Sequence, residues 1–268
     1  MNLGLIGCGR MGGALVEGAL KANILEPKNI LLSSKTKESA EKLAQTTGGS
    51  VAENNLQVVQ DSEIVLLGCK PYQVLDILAE ISPALPGNAV LVSVAAGITL
   101  GTMESASPAG TRIIRSMPNT PCMIGMGASG ISSGTHANEN DMAAARALLE
   151  AVGIVVSVEE DQLNAVTGLS GSGPAYIYSL IGELAKQGTA EGLKNSDALK
   201  LATRTVMGAA HMLEQTGKSP QELIDQVTSP GGTTLAGLAA MDGHGFGNSV
   251  AAGVRAATER SREIAAES

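Results

Sequence analysis

The chain is nearly without aromatic residues: its 268 positions hold three Tyr, one Phe and no Trp. Tyr72, Tyr176, Tyr178 and Phe246 are too few for the stacking platform on which single-stranded nucleic acid is bound. Positive charge is short as well. Lys and Arg total 18 against 26 Asp and Glu, a formal net charge of −8, whereas binding a phosphate backbone requires a basic surface. Nucleic acid is therefore not an expected partner. Cysteine is scarce, and Cys8, Cys69 and Cys122 stand far apart, so the sequence spells neither a disulfide framework nor a metal-ligand pair. No metal is expected, and a reducing cytoplasm is the expected compartment. No stretch of about 18 apolar residues passes without Gly, Pro or charge, and no basic and apolar leader opens the chain. A membrane is not an expected partner.

What the chain has instead is glycine, 33 of them, and 44% hydrophobic residues. The core must then be filled by Ala, Val, Leu, Ile and Met, with backbones approaching closely at Gly and Ala. The glycines follow no G-X-Y period, which excludes collagen. Through the first third, short apolar runs alternate with amphipathic segments: 2–7 then 12–21, 29–33 then 37–46, 63–68 then 71–81, and 89–94. This pattern predicts a parallel sheet with helices on both faces, and the uninterrupted Ile64–Leu67 and Val90–Val94 suit strands buried on both sides. Further strands are expected at 112–116, 127–132 and 154–158, with a helix over 139–152. Beyond about residue 159 only helical patterns follow, near 161–169, 174–187, 196–215, 220–227, 233–241 and 248–265. The boundary is drawn between an α/β domain, 1–159, and an all-helical domain, 160–268. Helices so rich in Ala and Gly bury little alone, and association with a second copy would remove more apolar surface from water. Packing against the chain's own α/β domain is the alternative.

Gly7, Gly9 and Gly12 occupy the positions of a G-x-G-x-x-G fingerprint directly after a strand and at the opening of a helix. Gly7 permits the tight turn, Gly9 lets a pyrophosphate approach the backbone, and Gly12 lets helix lie against strand; tight packing alone is the other reading of such a turn. The second strand ends in Ser33-Ser34-Lys35-Thr36-Lys37, with no acid before Glu38. Hydroxyls with Lys35 and Lys37 suit a 2′-phosphate and favour NADP(H), with NAD(H) also admitted; solvated lysines at a helix start are the plain alternative. Arg10 is a further candidate for phosphate, and Cys8 reads as a small residue of the loop. Lys70 before Pro71 falls at the carboxyl edge of the sheet, where doubly wound folds bind ligands, and Ala95 and Ala96 leave room for a flat ring or ribose. Asn119, in a turn bracketed by Pro118 and Pro121, is either a ligand contact or a scaffold residue.

In the helical half, residues 169–176 (Leu-Ser-Gly-Ser-Gly-Pro-Ala-Tyr) and 227–234 (Val-Thr-Ser-Pro-Gly-Gly-Thr-Thr) each read as a loop opening onto a helix. Free backbone N–H groups beside hydroxyls make a receptor for a carboxylate. Together with the glycine fingerprint, Cys69-Lys70-Pro71, and Arg-Ser-Met-Pro-Asn-Thr-Pro at 115–121, these motifs resemble pyrroline-5-carboxylate reductase from about residue 3 to residue 260. The resemblance implies an N-terminal Rossmann-like domain, a helical C-terminal dimerisation domain, homo-oligomers built from dimers, and NAD(P)H-dependent reduction of 1-pyrroline-5-carboxylate to L-proline. It further implies that Gly7, Cys8, Gly9, Arg10, Met11, Gly12, Ser33 or Ser34, Asn55, Lys70, Pro71, Ala95 and Ala96 line the cofactor. Gly231, Gly232, Thr233 and Thr234 would take the substrate carboxylate, with the Thr234 hydroxyl near the ring nitrogen as the catalytic group and Glu160 in the substrate pocket. The chain departs from the family pattern at Gln226, where some relatives carry Asn.

A cyclic imine is electrophilic once protonated, so no metal or covalent nucleophile is demanded. His136, His211 and His244 fall in no motif and receive no role. A hydroxyacid reductase of the same two-domain plan would need a catalytic lysine in the helical half, where Lys186, Lys194 and Lys200 match no motif. A nucleotide-sensing module would have no use for the Ser-Pro-Gly-Gly-Thr-Thr loop.

Overall fold

The computed structural model describes residues 1–267. Its first part alternates strands and helices: β1 (Leu3–Ile6), α1 (Arg10–Lys21), β2 (Ile30–Ser33), α2 (Lys37–Thr47), β3 (Ser50–Val51), α3 (Asn55–Gln60), β4 (Ile64–Leu67), α4 (Val74–Ile81), β5 (Val90–Ser93), α5 (Leu100–Ser105), β6 (Arg112–Met117), β7 (Gly127–Ser133), α6 (Glu139–Glu150) and β8 (Gly153–Ser157). Helices follow: α7 (Leu163–Val166), α8 (Gly173–Ala190), α9 (Asn195–Thr216), α10 (Pro220–Val227), α11 (Thr233–Gly243) and α12 (Phe246–Glu267). The strand alternation and the switch to helix fall where the apolar pattern predicts them. Too short for a period to show, β3, α3 and α5 escape it.

The eight strands form one sheet in the order β3-β2-β1-β4-β5-β6-β7-β8. It is doubly wound, but not wholly parallel: β7 runs antiparallel to β6. The connection between them, residues 118–126, is shorter than the dozen or so residues that a parallel crossover needs, so the chain turns back as a hairpin. On β4, Ile64 and Leu66 join one core cluster with Leu15, Val16 and Leu148 from α1 and α6, while Val65 and Leu67 join another with Val58, Leu78 and Met103 from α3, α4 and α5. One strand thus feeds two cores, which is why its apolar run is uninterrupted. Each such Leu or Ile removed from water contributes about 1.5–3 kcal/mol.

The chain divides into two compact units, Met1–Ser172 together with the chain from Arg255 onward, and Gly173–Val254. The last turns of α12 therefore count with the sheet, where buried Ser261 donates to Asn164 Oδ1 (2.8 Å). The second unit has α8 and α9 crossing at Ala185, Ala198 and Ala202, the residues of its buried apolar cluster.

Gly18 of α1 shows how tightly the sheet unit is packed. Ala would ordinarily be favoured there by about 0.5–1 kcal/mol, but a Cβ would collide with Val152 Cγ1 and lie 3.3 Å from the Ala151 carbonyl oxygen. Overpacking wins: Gly18→Ala is expected to cost about 1–3 kcal/mol. Gly101 on α5 has nothing nearer than Thr99 Oγ1 at 4.0 Å, so Gly101→Ala is expected to gain about 0.4–1 kcal/mol. Urea unfolding midpoints should move in opposite directions for the two variants.

Candidate active site

Parallel pairing levels the carboxyl ends of four strands. Ile6 stands beside Ser33 and Leu67, and Leu67 beside Ser93, so the turns that follow open on one crevice, at the point where the strand order reverses. In the turn after β1, Gly7 takes φ +99°, and a Cβ there would lie 2.6 Å from the Cys69 backbone nitrogen. Gly12 is held equally closely: a Cβ there would lie 2.8 Å from Leu5 Cδ1 and 3.0 Å from the Gly7 carbonyl oxygen. Gly9 differs. It has extended backbone at the N-cap of α1 (φ −80°, ψ −179°), and its nearest neighbour, the Gly68 carbonyl oxygen, is 3.7 Å from a Cβ position. Nothing in the protein demands glycine there, yet its bareness clears the path to backbone N–H groups that no side chain caps. That cradle fits a pyrophosphate.

Arg10 is exposed beside this turn and Met11 half-buried. The Cys8 thiol donates to the Ser33 carbonyl oxygen (3.4 Å), and burial pushes its pKa up to about 11. It stays protonated near neutrality and is not a nucleophile. Ser33, Ser34, Lys35 and Lys37 line a cleft of about 670 Å³ with Val51 and Glu53. Lys35 is exposed, while Lys37 Nζ lies 3.5 Å from Glu41. The Ser33 hydroxyl donates to Asn55 Oδ1 (2.7 Å), and Asn55 Nδ2 donates to Glu80 Oε2 (2.9 Å). Glu80 was not foreseen, because no motif links α4 to the end of β2. Exposed Lys70 precedes Pro71, which opens the 3-10 turn leading into α4. Ala95 is buried and Ala96 exposed where the chain leaves β5.

Two residues carry more structural duty than expected. The Asn119 amide donates to the Ser170 carbonyl oxygen (3.0 Å) and accepts from the Ala128 N–H (3.0 Å). It is buried and braces its turn, a scaffold duty that stands beside its expected place among the cofactor contacts. Glu160 Oε1 accepts from Arg115 Nη1 (2.8 Å) and from the Leu100 N–H at the start of α5 (2.6 Å). Arg115 is buried and needs that charge beside it. Both residues line a cleft of about 460 Å³ with Thr99, Asp161, Asn164 and Arg262.

In the helical segments, the two glycine clusters part company. Residues 167–171 are not a loop but a π-helical turn between α7 and α8, with the Ser172 N–H donating to the Thr167 carbonyl oxygen. Its Gly171 lies against Met117, and the Ser172 N–H, one of the groups expected to be free, is spent within the turn. The other cluster is a turn, in which the Gly232 N–H donates to the Ser229 carbonyl oxygen (2.9 Å) and Gly231 has φ +72°. Pro at the second position and a left-handed Gly at the third are the signature of a type II turn. Gly232 then caps α11 without a side-chain bond, which leaves the N–H groups of Thr233 and Thr234 at an open helix start. Gln226 is exposed on α10.

Residues 160–264 match the family model for pyrroline-5-carboxylate reductase dimerisation, and residues 2–97 match that for NADP oxidoreductase, coenzyme F420-dependent. Curated proteins named pyrroline-5-carboxylate reductase from Methanosarcina acetivorans and Arabidopsis thaliana are 40% and 41% identical to the chain. Each alignment covers 98% of this chain, and 97% and 95% of the respective relative. The chain belongs to the pyrroline-5-carboxylate reductase family. A solved reductase of this family from Coxiella burnetii superposes with a TM-score of 0.93 at 30% identity over 98% of both chains. A Plasmodium falciparum pyrroline carboxylate reductase, solved with NADP bound, gives 0.87 at 29% identity over 99% of this chain and 98% of its own.

Within this family fold, the bareness of Gly9 can be separated from stability. Gly9→Ala is expected to leave the melting temperature unchanged while weakening NADP+ binding, measured calorimetrically, by about tenfold or more. Gly7→Ala should instead lower the melting temperature, since its φ is positive and backbone blocks the Cβ.

Proposed function

We propose that this protein reduces 1-pyrroline-5-carboxylate to L-proline, the last step of proline biosynthesis, with NADPH as the preferred hydride donor and NADH also used. The observation that carries this reading is one chain holding both a bare-glycine turn at the sheet crevice and an uncapped Ser-Pro-Gly-Gly-Thr-Thr helix start, with full-length similarity to reductases of that name. Residues 1–159 are assigned to the cofactor and 160–268 to substrate and association. The N–H groups opening α1, with Arg10, hold the pyrophosphate; Ser34 and Lys35 hold the 2′-phosphate; Asn55, Lys70, Pro71, Ala95 and Ala96 complete the walls. When bound, the reduced nicotinamide supplies the hydride to the imine carbon.

The rest falls to the chain's own groups. The Thr233 and Thr234 N–H groups, at the positive end of the α11 dipole, bind the substrate carboxylate, and Gly231 shapes the turn that aims them. The Thr234 hydroxyl holds or relays the proton at the ring nitrogen, so that the nitrogen leaves as the charged amine of proline. Glu160, whose Oε1 accepts from Arg115 and from the Leu100 N–H, is kept as a substrate-binding residue. Positioning therefore supplies most of the rate.

The working form proposed is a homodimer. Outside the small cluster between α8 and α9, the helical unit leaves Tyr178 at 65%, Leu201 at 57% and Val227 at 65% exposed, apolar side chains that a second copy would cover. The three cysteines are free, in keeping with a reducing compartment, and among the described residues no helix is long and apolar enough to cross a membrane.

Oxidation of NADPH that depends on pyrroline-5-carboxylate, followed at 340 nm, tests the activity; its absence would overturn the reading. Thr234→Ala is expected to lower kcat by about a hundredfold and Thr234→Ser to restore most of it, whereas equal rates in Thr234→Ala and wild type would remove the proton role. Lys35→Asp should shift preference from NADPH towards NADH by about tenfold or more, the weight of one charge-assisted contact.

A further inference from the structure

At the end of the second strand, where dinucleotide folds that use NAD place an acid to accept from the ribose hydroxyls, this chain has Ser33. The geometry points to an acid supplied at one remove: we propose that Glu80, acting through Asn55, makes the Ser33 hydroxyl a hydrogen-bond acceptor that recognises the ribose 2′-hydroxyl of NAD(H) and disfavours the 2′-phosphate. The relay is a consequence of donor and acceptor chemistry. A carboxylate only accepts, so Glu80 Oε2 fixes Nδ2 as the end of the Asn55 amide that faces it (2.9 Å). The amide oxygen then faces Ser33 (2.7 Å), and because that oxygen also only accepts, the serine proton must point to it. Ser33 keeps nothing but lone pairs for a ligand. It is buried to 8% exposure yet lines the cleft shared with Ser34, Lys35 and Lys37.

A hydroxyl can donate to those lone pairs, and a phosphate, which carries only acceptors at neutral pH, cannot. The cleft thus joins two opposed elements: Lys35 and Ser34 favour the phosphate, and the Glu80–Asn55–Ser33 relay favours the hydroxyl. Their balance allows both cofactors to be used. Ser33 is accordingly a specificity residue, and Glu80 and Asn55 are its positioning residues.

The relay presupposes the dinucleotide reading above, so its test reads binding instead of turnover. Dissociation constants of NADP+ and NAD+ are measured by calorimetry for wild type, Glu80→Ala, Ser33→Ala and the double variant. Glu80 is exposed, so its truncation leaves the fold intact. Without it the Asn55 amide is free to turn its NH2 to Ser33, and the serine proton is released towards the ligand. The preference for NADP+ over NAD+ is then expected to rise about fivefold, the weight of one neutral hydrogen bond. In the Ser33→Ala background, Glu80→Ala is expected to leave the preference unmoved. A rise of equal size in both backgrounds would show that loss of a negative charge alone is responsible and would overturn the relay. So would an unchanged or lowered preference in Glu80→Ala. A wild-type chain that binds neither nucleotide would overturn the dinucleotide reading and the relay with it.

Discussion

The close approach of two strand ends governs this molecule. Where β1 and β4 finish side by side, Gly7 and Gly68 meet backbone to backbone: a Cβ on Gly68 would stand 2.7 Å from the Gly7 carbonyl oxygen, and one on Gly7 2.6 Å from the Cys69 nitrogen. Only two bare residues permit that contact. Because the turn is so tight, α1 begins directly over the sheet edge, with Gly12 pressed on Leu5 and its first N–H groups facing the crevice. The bareness of this turn is a product of packing.

The two compact units divide the physical labour unequally. The sheet unit buries apolar residues on both faces, so its stability resides within one chain and its loops can be held rigidly for a ligand. The helical unit surrounds three buried alanines with exposed leucines, methionines and tyrosine. A chain poor in aromatic residues gains little area per helix, and apolar side chains are left exposed on this unit.

Legibility was uneven in a physically sensible way. Backbone-driven features showed clearly in the sequence: the glycine turn, Pro71 after the fourth strand, and the buried strands. Each depends on a few adjacent residues whose allowed conformations are narrow. The π-turn at 167–171 was hidden, because glycine and serine suit both a loop and a helix, and contact with Met117 is a long-range matter. Asn119 was visible as a polar residue of a motif and Glu160 through the family resemblance, while the bonds that tie them to Ser170, Ala128, Arg115 and Leu100 were not.

By itself, then, the sequence determined the order of strands and helices, the change to helix after residue 159, and the turns that glycine and proline permit, since periodicity and backbone freedom are local properties. Tertiary structure decided which polar groups remain available to a ligand. Donors and acceptors are spent on neighbours far apart along the chain, as with Asn55 and Glu80, or Arg115 and Glu160. It decided the antiparallel return of β7 as well, through the length of the connection and the pairing it leaves open. A residue type says what a side chain is able to bond, and only the fold says what it has already bonded.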